Sequence, residues 1–451
     1  MARNRSNWGR VRRILVLTMA AFFIFRAIHI TRDRRDAVRR GFQNRQFPQD
    51  RRVAGRGPQR LSPIRTGAAL EANLTPEQIV SQKLSRFASS RRDLTHAFAL
   101  KKGITVPQDV SDFYDAVESG DWNRINSLFE AIWKKKDSDA PGAEDLRKLS
   151  APLLETYGVA QQAHLWPADQ LLEYGESILG ALKPGMIYIG GTDCGRFIPT
   201  LLNETVEDGE RHVVITQNML ADAAYTDYLR FVYGDQLETL SPEDSQREFS
   251  AYMADAQKRF EHDRDFPNEP KQIHPGEQFS QKDGRLAASG RTAVMAINER
   301  LLTAFMQKNE GFTFAMEESF PFKSNYGSAR PLGPIFEIGA EEGSESLSGK
   351  TAQETVNYWT ARAQELRSDP AAAKNEEGLK SYAHMVSAQA NLLASRGFPT
   401  QAEQTYRTAL EIWPGATDAA NNLSDLLIAR GRTAEAQALL EDLRRRNSLK
   451  Q

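Results

Sequence analysis

The stretch from 185 to 202 reads GMIYIGGTDCGRFIPTLL, an apolar run that meets two glycines, an acid, a thiol and an arginine within seven residues. Gly190 and Gly191 let a ligand approach the backbone closely, and a helix starting just after them offers unpaired N–H groups to an anion. Thr192 and Asp193 add side-chain oxygens, with Asp193 placed to cap that helix. Arg196 is suited to a carboxylate or phosphate, or to pairing with Asp193 or Glu318. Two further turns carry related chemistry: Gln217-Asn218 after HVVIT, and Glu317-Glu318 after FTFAM. Asp193, Glu317 and Glu318 have the oxygen donors of a divalent-cation site, and such a cation polarises a phosphoryl or glycosyl oxygen.

Other chemistries are poorly served. GGTDCG lacks the spacing of a dinucleotide fingerprint and of a phosphate-binding P-loop. Cys194, the only cysteine, excludes an intrachain disulfide; with no histidine nearby in sequence, it reads as a small buried residue rather than a nucleophile. His164, His212, His262 and His274 fit no metal-ligand spacing, and no cofactor is assigned.

The candidate residues need strands and helices to bring them together. MIYI, HVVIT and FTFAM are short apolar runs, each ending in a polar turn, and the first two lead into helical segments. Strands alternating with helices predict an α/β domain over 166–345 with a mainly parallel, Rossmann-like sheet, GPIFEI adding an edge strand. Ligands of such sheets sit beyond the carboxyl ends of the strands, where Gly190, Gly191, Thr192, Asp193, Arg196, Gln217, Asn218, Glu317 and Glu318 all fall. EHDRDFPNEPKQIHPGEQ reads as a solvated loop and QKDGRLAASG as a turn or hairpin.

Helices flank this domain. LTPEQIVSQKLSRF opens a helical region over 76–165, with a helical hairpin turning at Glu118-Ser119-Gly120-Asp121 and core aromatics at Phe113, Tyr114, Trp122 and Phe129. The carboxyl end repeats itself. Gly397 and Gly431 lie 34 positions apart, as do Ala402 and Ala436, and Tyr406 and Leu440. That period and the small residues at Ala390, Ala402 and Ala409 predict tetratricopeptide repeats over 351–451. Two repeats leave an apolar face open, so either TAQETVNYWTARAQELR should pack beside them or they should dock on the central domain. Such repeats take a protein or peptide partner.

The amino end differs in kind. Residues 1–13 form a basic tail, and ILVLTMAAFFIF begins an apolar segment over 14–30 that is read as an uncleaved transmembrane anchor. Residues 31–75 are read as an arginine-rich, disordered linker. Up to Arg65 there are 17 arginines, no lysine and 3 acids. This end therefore carries about +14 and the remainder about −15, and so acidic a bulk argues against a nucleic-acid partner. The expected location is the inner (cytoplasmic) membrane as a single-pass protein. The short basic tail ahead of the span favours a bulk on the exported side, while Arg32, Arg34, Arg35, Arg39 and Arg40 on the far flank pull the other way.

YIGGTDCGRFIPTLL, VITQNMLADAAYTDYLRFVYGDQ, SGRTAVMAINERLLTAFMQKN and FTFAMEESFP together resemble an uncharacterised bacterial family of single-pass membrane proteins. Its members combine a GGTDxGRF-containing α/β domain with tetratricopeptide repeats. There is also a distant resemblance to the soluble tail of multi-pass proteins related to the protein O-mannosyltransferases, which implies a link to envelope glycosylation. The chain departs from the family pattern at Cys194, where proline is usual, and in SNYGSARPLGP, where Tyr-Pro and Pro-His-Gly are expected. The expected function is a membrane-anchored binding or scaffold protein, its repeats holding protein partners and its α/β domain an unassigned ligand. The alternative is an enzyme or accessory factor of envelope glycosylation that depends on a divalent metal.

Overall fold

A computed structural model describes residues 74–206, 211–282, 285–339 and 347–448. The segments read as tail, anchor and most of the linker lie outside these residues. Among the described residues no helix is long and apolar enough to cross a membrane. The described chain divides into two compact units: a small one from residues 220–223 and 240–304, and a large one holding the rest.

The large unit opens with α1 (Pro76–Lys102), α2 (Gln108–Ser119), α3 (Trp122–Lys136), α4 (Ala143–Lys148), α5 (Ser150–Leu165) and α6 (Ala168–Leu179). The Thr-Pro-Glu start of α1 is a capping box: the Gln78 amide N–H donates to Thr75 Oγ1 (3.3 Å) and the Thr75 N–H to Gln78 Oε1 (2.9 Å). The α2–α3 hairpin turns at Gly120, whose φ of 71° suits only glycine without strain, and Asp121 caps α3. Phe113, Tyr114 and Phe129 are buried as expected, while Trp122 is partly exposed and stacks on His164, with ring centroids 4.6 Å apart. One buried cation ties three elements together. Arg91 on α1 pairs with Glu155 of α5 (2.7 Å) and with Glu204 of α7 (Asp193–Glu204) at 3.2 Å.

The sheet that positions the candidate residues consists of β1 (Ile187–Gly190), β2 (Val213–Thr216), β5 (Phe314–Glu317), β6 (Ala329–Leu332) and β7 (Ile335–Ile338), in the order β2-β1-β5-β7-β6. Only β2, β1 and β5 are parallel; β7 runs antiparallel to β5, and β6 to β7. The sheet is therefore small and mixed within a mostly helical molecule, which corrects the expected mainly parallel, Rossmann-like domain. The reason is local. Gly333-Pro334 closes a two-residue hairpin, and so short a connection permits only antiparallel pairing. The GPIFEI strand is interior; the edge belongs to β6, where Pro331 costs no ladder bond on the open side.

In the small unit, α9 (Pro242–Asp265) precedes the hairpin of β3 (Gln278–Lys282) and β4 (Arg285–Ser289). Between them, Glu277 is buried and accepts from Arg259 and from the Tyr252 hydroxyl, pinning the hairpin's entry to α9. In chain order, helix α8 (Ala223–Tyr233) falls between the two segments of this unit, and α10 (Arg291–Lys308) leads on to β5.

The carboxyl end forms α11 (Gly349–Ser368), then two antiparallel pairs, α12 (Glu376–Ser395) with α13 (Pro399–Ile412) and α14 (Thr417–Ala429) with α15 (Thr433–Ser448). Gly397 and Gly431 both adopt positive φ (81° and 75°) at the turn inside each pair. Ala390, Ala402, Ala409 and Ala436 are buried where helices meet. Helix α11 packs beside these pairs, its fully buried Trp359 donating from Nε1 to Gln389 Oε1 at 2.9 Å.

Close approach of α5 and α7 depends on Gly158, where an added Cβ would lie 2.1 Å from the Phe197 ring. Helix propensity favours Gly158→Ala by about 1 kcal/mol, but overpacking costs about 1–3 kcal/mol. The variant should therefore unfold at lower denaturant concentration, and Phe197→Leu in the same chain should restore part of the loss; a Gly158→Ala midpoint at or above wild type would contradict this packing.

Candidate functional site

Parallel pairing in register brings Gly190, Thr216 and Glu317 side by side at the strand ends. There the strand tips contact one another. Glu317 is 2 % exposed, and its Oε2 accepts from the N–H groups of Gly191 (3.0 Å) and Thr192 (2.8 Å). The Thr192 hydroxyl donates to Oε1 at 2.9 Å. The glycine turn thus holds an anion, and the anion is the protein's own carboxylate. Gly195 leaves room for it: an added Cβ would stand 2.0 Å from Glu317 Oε2. Gly191 is equally confined, its added Cβ falling 2.3 Å from the Ser319 nitrogen.

The neighbouring tips are closed in the same way. Gln217, fully buried, accepts at Oε1 from the Ser319 N–H (2.7 Å) and donates from Nε2 to the Phe320 carbonyl (3.2 Å). Its own N–H reaches the Gly190 carbonyl at 3.0 Å. The Glu318 carboxylate accepts from the Tyr326 hydroxyl (2.7 Å) and the Phe322 N–H (3.1 Å). His384 of α12 lies over this turn, Nε2 donating to the Glu318 carbonyl at 2.6 Å.

Three candidates stand apart. Asp193 and Asn218 are exposed. Asp193 is not the helix cap: Thr192 takes that place, extended at φ −80°, ψ 166°, with its Oγ1 accepting from the Gly195 N–H at 3.0 Å. Arg196 forms no ion pair with Asp193, Glu318 or any other carboxylate among the described residues. Its guanidinium lies over the Phe197 ring, 3.8 Å from the centroid, with Nη1 3.2 Å from Met219 Sδ. It borders a cavity of about 10 Å³, room for one water molecule, shared with Glu155, Thr216 and Tyr225. Burial lowers the Arg196 pKa, against the attraction of Asp193.

Sequence reasoning did not find Tyr188, Gly195, Ser319, Ser381 or His384. The Tyr188 hydroxyl donates to the Gly195 carbonyl (2.5 Å), and Ser381 donates to Cys194 Sγ (3.1 Å). Only Gly195 carried a signal, as the third glycine of GGTDCG. Ser381 and His384 belong to a repeat helix 187 and 66 residues distant from their partners, and no local pattern announces them. Burial pushes the Cys194 thiol up to about 12, so it stays protonated near neutral pH, as a packing residue does. Among the described residues no group of three or more His, Cys, Asp or Glu is arranged to hold a metal ion.

A tetratricopeptide-repeat family model matches residues 393–448, from the end of α12 through α13, α14 and α15. The carboxyl end of the chain therefore carries tetratricopeptide repeats. No curated protein and no solved structure matches the chain.

Burial raises the Glu317 pKa above its ordinary value of 4.5, outweighing His384 and the Thr192 and Gly191 donors that favour the charged form. A raised folded-state value stabilises the protein below pH 4.5, and this contribution is lost as pH climbs through the folded value. Glu317→Gln should flatten that part of the stability-against-pH curve while keeping an acceptor for both N–H groups. Glu317→Ala should cost about 2–5 kcal/mol, because it strands buried donors and leaves a cavity. Urea titrations from pH 4 to 8 measure both; equal losses for the two variants would remove the clasp.

Proposed function

We propose that the chain is a membrane-tethered scaffold protein whose tetratricopeptide repeats recruit a protein partner. The observation that carries this reading is the pair of helical hairpins, α12–α13 and α14–α15, repeating at 34 residues, with the repeat-family model matching residues 393–448 within them. Repeats of this kind stack quasi-one-dimensionally and offer a continuous face to a polypeptide. The alternative of a metal-dependent enzyme or accessory factor of envelope glycosylation draws less support. Glu317 and Glu318 spend their oxygens on the protein's own donors, and Asp193 stands away from them in the solvent.

Immobilised full-length protein should retain a partner from detergent-solubilised envelope saturably, and free full-length protein should compete for it. No retention across a range of salt and detergent would count heavily against the scaffold reading.

The tether is the apolar segment 14–30, which lies outside the described residues. Its run from Ile14 to Phe25 carries no charged residue, and arginines flank it. Alkaline carbonate should leave the full-length chain in the membrane pellet, with Leu17→Arg/Phe23→Arg moving it to the supernatant. Release of the wild-type chain by carbonate would exclude a spanning anchor.

A further inference from the structure

The two repeats present related faces to different surroundings. On α12, side-chain donors hold main-chain carbonyls of the chain's own 318–335 segment. His384 reaches Glu318 O, and Gln389 reaches Gly333 O (2.8 Å) and Ile335 O (2.9 Å). Just past the helix, Arg396 reaches Tyr326 O (2.9 Å) and Gly327 O (2.6 Å). This face is already filled. One repeat later, the 34-residue offset carries His384, Ser387, Asn391 and Ala394 onto Asp418, Asn421, Asp425 and Ile428 of α14. These four are all exposed and form one stripe at i, i+3, i+7, i+10, Ile428 at 50 % exposure. The side chains of Asp418, Asn421 and Asp425 make no hydrogen bond or ion pair among the described residues.

The two faces are continuous. Asn391 Oδ1 accepts from the Tyr406 hydroxyl (2.6 Å) and from Asn422 Nδ2 (2.8 Å), so α12, α13 and α14 share one polar seam. Tyr406 lies within electrostatic reach of both Glu318, on the covered side, and Asp425, on the open side.

We propose that the open α14 stripe is the docking surface of the scaffold, and that it takes an extended, basic segment of a partner protein. The inference rests on the scaffold reading above and adds the face and the chemistry of the occupant. Charge complementarity selects that occupant. The residue that donates on α12, His384, becomes an acceptor, Asp418, and Asn391 becomes a second carboxylate, Asp425, neither neutralised by the protein itself. Spacing narrows the choice. Seven residues of helix separate these carboxylates by about 10 Å along the axis. A polyproline-II segment places every third side chain on one face about 9 Å apart, so arginine or lysine at i and i+3 meets both. Ile428 continues the stripe with an apolar contact.

The test uses full-length protein in detergent at physiological salt and a fluorescein-labelled peptide with arginine at every third position between prolines. Its glutamate counterpart serves as the control probe. Anisotropy should show saturable binding of the arginine peptide and none of the glutamate peptide. Asp418→Asn/Asp425→Asn should weaken binding about three- to tenfold, the loss of two exposed charge pairs. Asp139→Asn/Glu310→Gln, which removes two exposed acids elsewhere, should leave it unchanged. Equal weakening by both double variants, binding of the glutamate peptide, or no weakening in the α14 variant would each overturn the assignment. Because all four substitutions are on the surface, folding is not at issue. Retention of an envelope partner by the Asp418→Asn/Asp425→Asn protein as strong as by wild type would reject this face while leaving the scaffold reading intact.

Discussion

A buried carboxylate must find donors or give up its charge, and the middle of this protein is built around one such demand. Glu317 leaves the end of β5 in a place with almost no access to water, and its oxygens are met by two backbone N–H groups and a hydroxyl from the turn after β1. The turn in turn needs Gly191 and Gly195, because any side chain there would collide with the Glu317 carboxylate or the strand end beside it. Two strands 126 residues apart are thereby locked at one end by a contact that neither makes alone.

That lock reaches the repeats. With Glu317 held, the next residues curve so that Ser319 and Phe320 engage Gln217 and the Glu318 carbonyl faces α12. His384, Gln389 and Arg396 then take up carbonyls along the following segment. Backbone groups at strand ends must be paired when water is excluded, and here the repeat helix supplies the partners. The first repeat is in consequence part of the core, leaving the second as the one that faces solvent. A face of this type needs no pre-formed cavity, since polypeptide recognition by helical repeats rests on spaced side chains along an open surface.

Much of the architecture was legible from short-range rules. The capping box at Thr75, the turn at Gly120 and the 34-residue recurrence of Gly397 and Gly431 follow from preferences that act within a few residues. Three of the strands and their polar ends were likewise visible as apolar runs meeting turns. Sheet direction was not. A hydrophobic run buries equally well parallel or antiparallel, and the Gly333-Pro334 hairpin decided the matter for β6 and β7. Thr192 rather than Asp193 became the cap because Thr192 is the residue left extended where the helix begins.

By itself, the sequence determined the helical hairpin near the start of the folded chain, the 34-residue recurrence at the carboxyl end, which residues stand at the strand tips, and that the arginine-rich end opposes an acidic remainder. Only the tertiary structure decided what those tips do. Whether a carboxylate binds a cation, a substrate or its own backbone depends on which donors arrive within 3 Å, and those donors come from parts of the chain more than a hundred residues away. The same holds for the repeats. His384 and Asp418 occupy equivalent places in a repeating pattern, yet one is covered and the other open because the 318–335 segment lies over only the first.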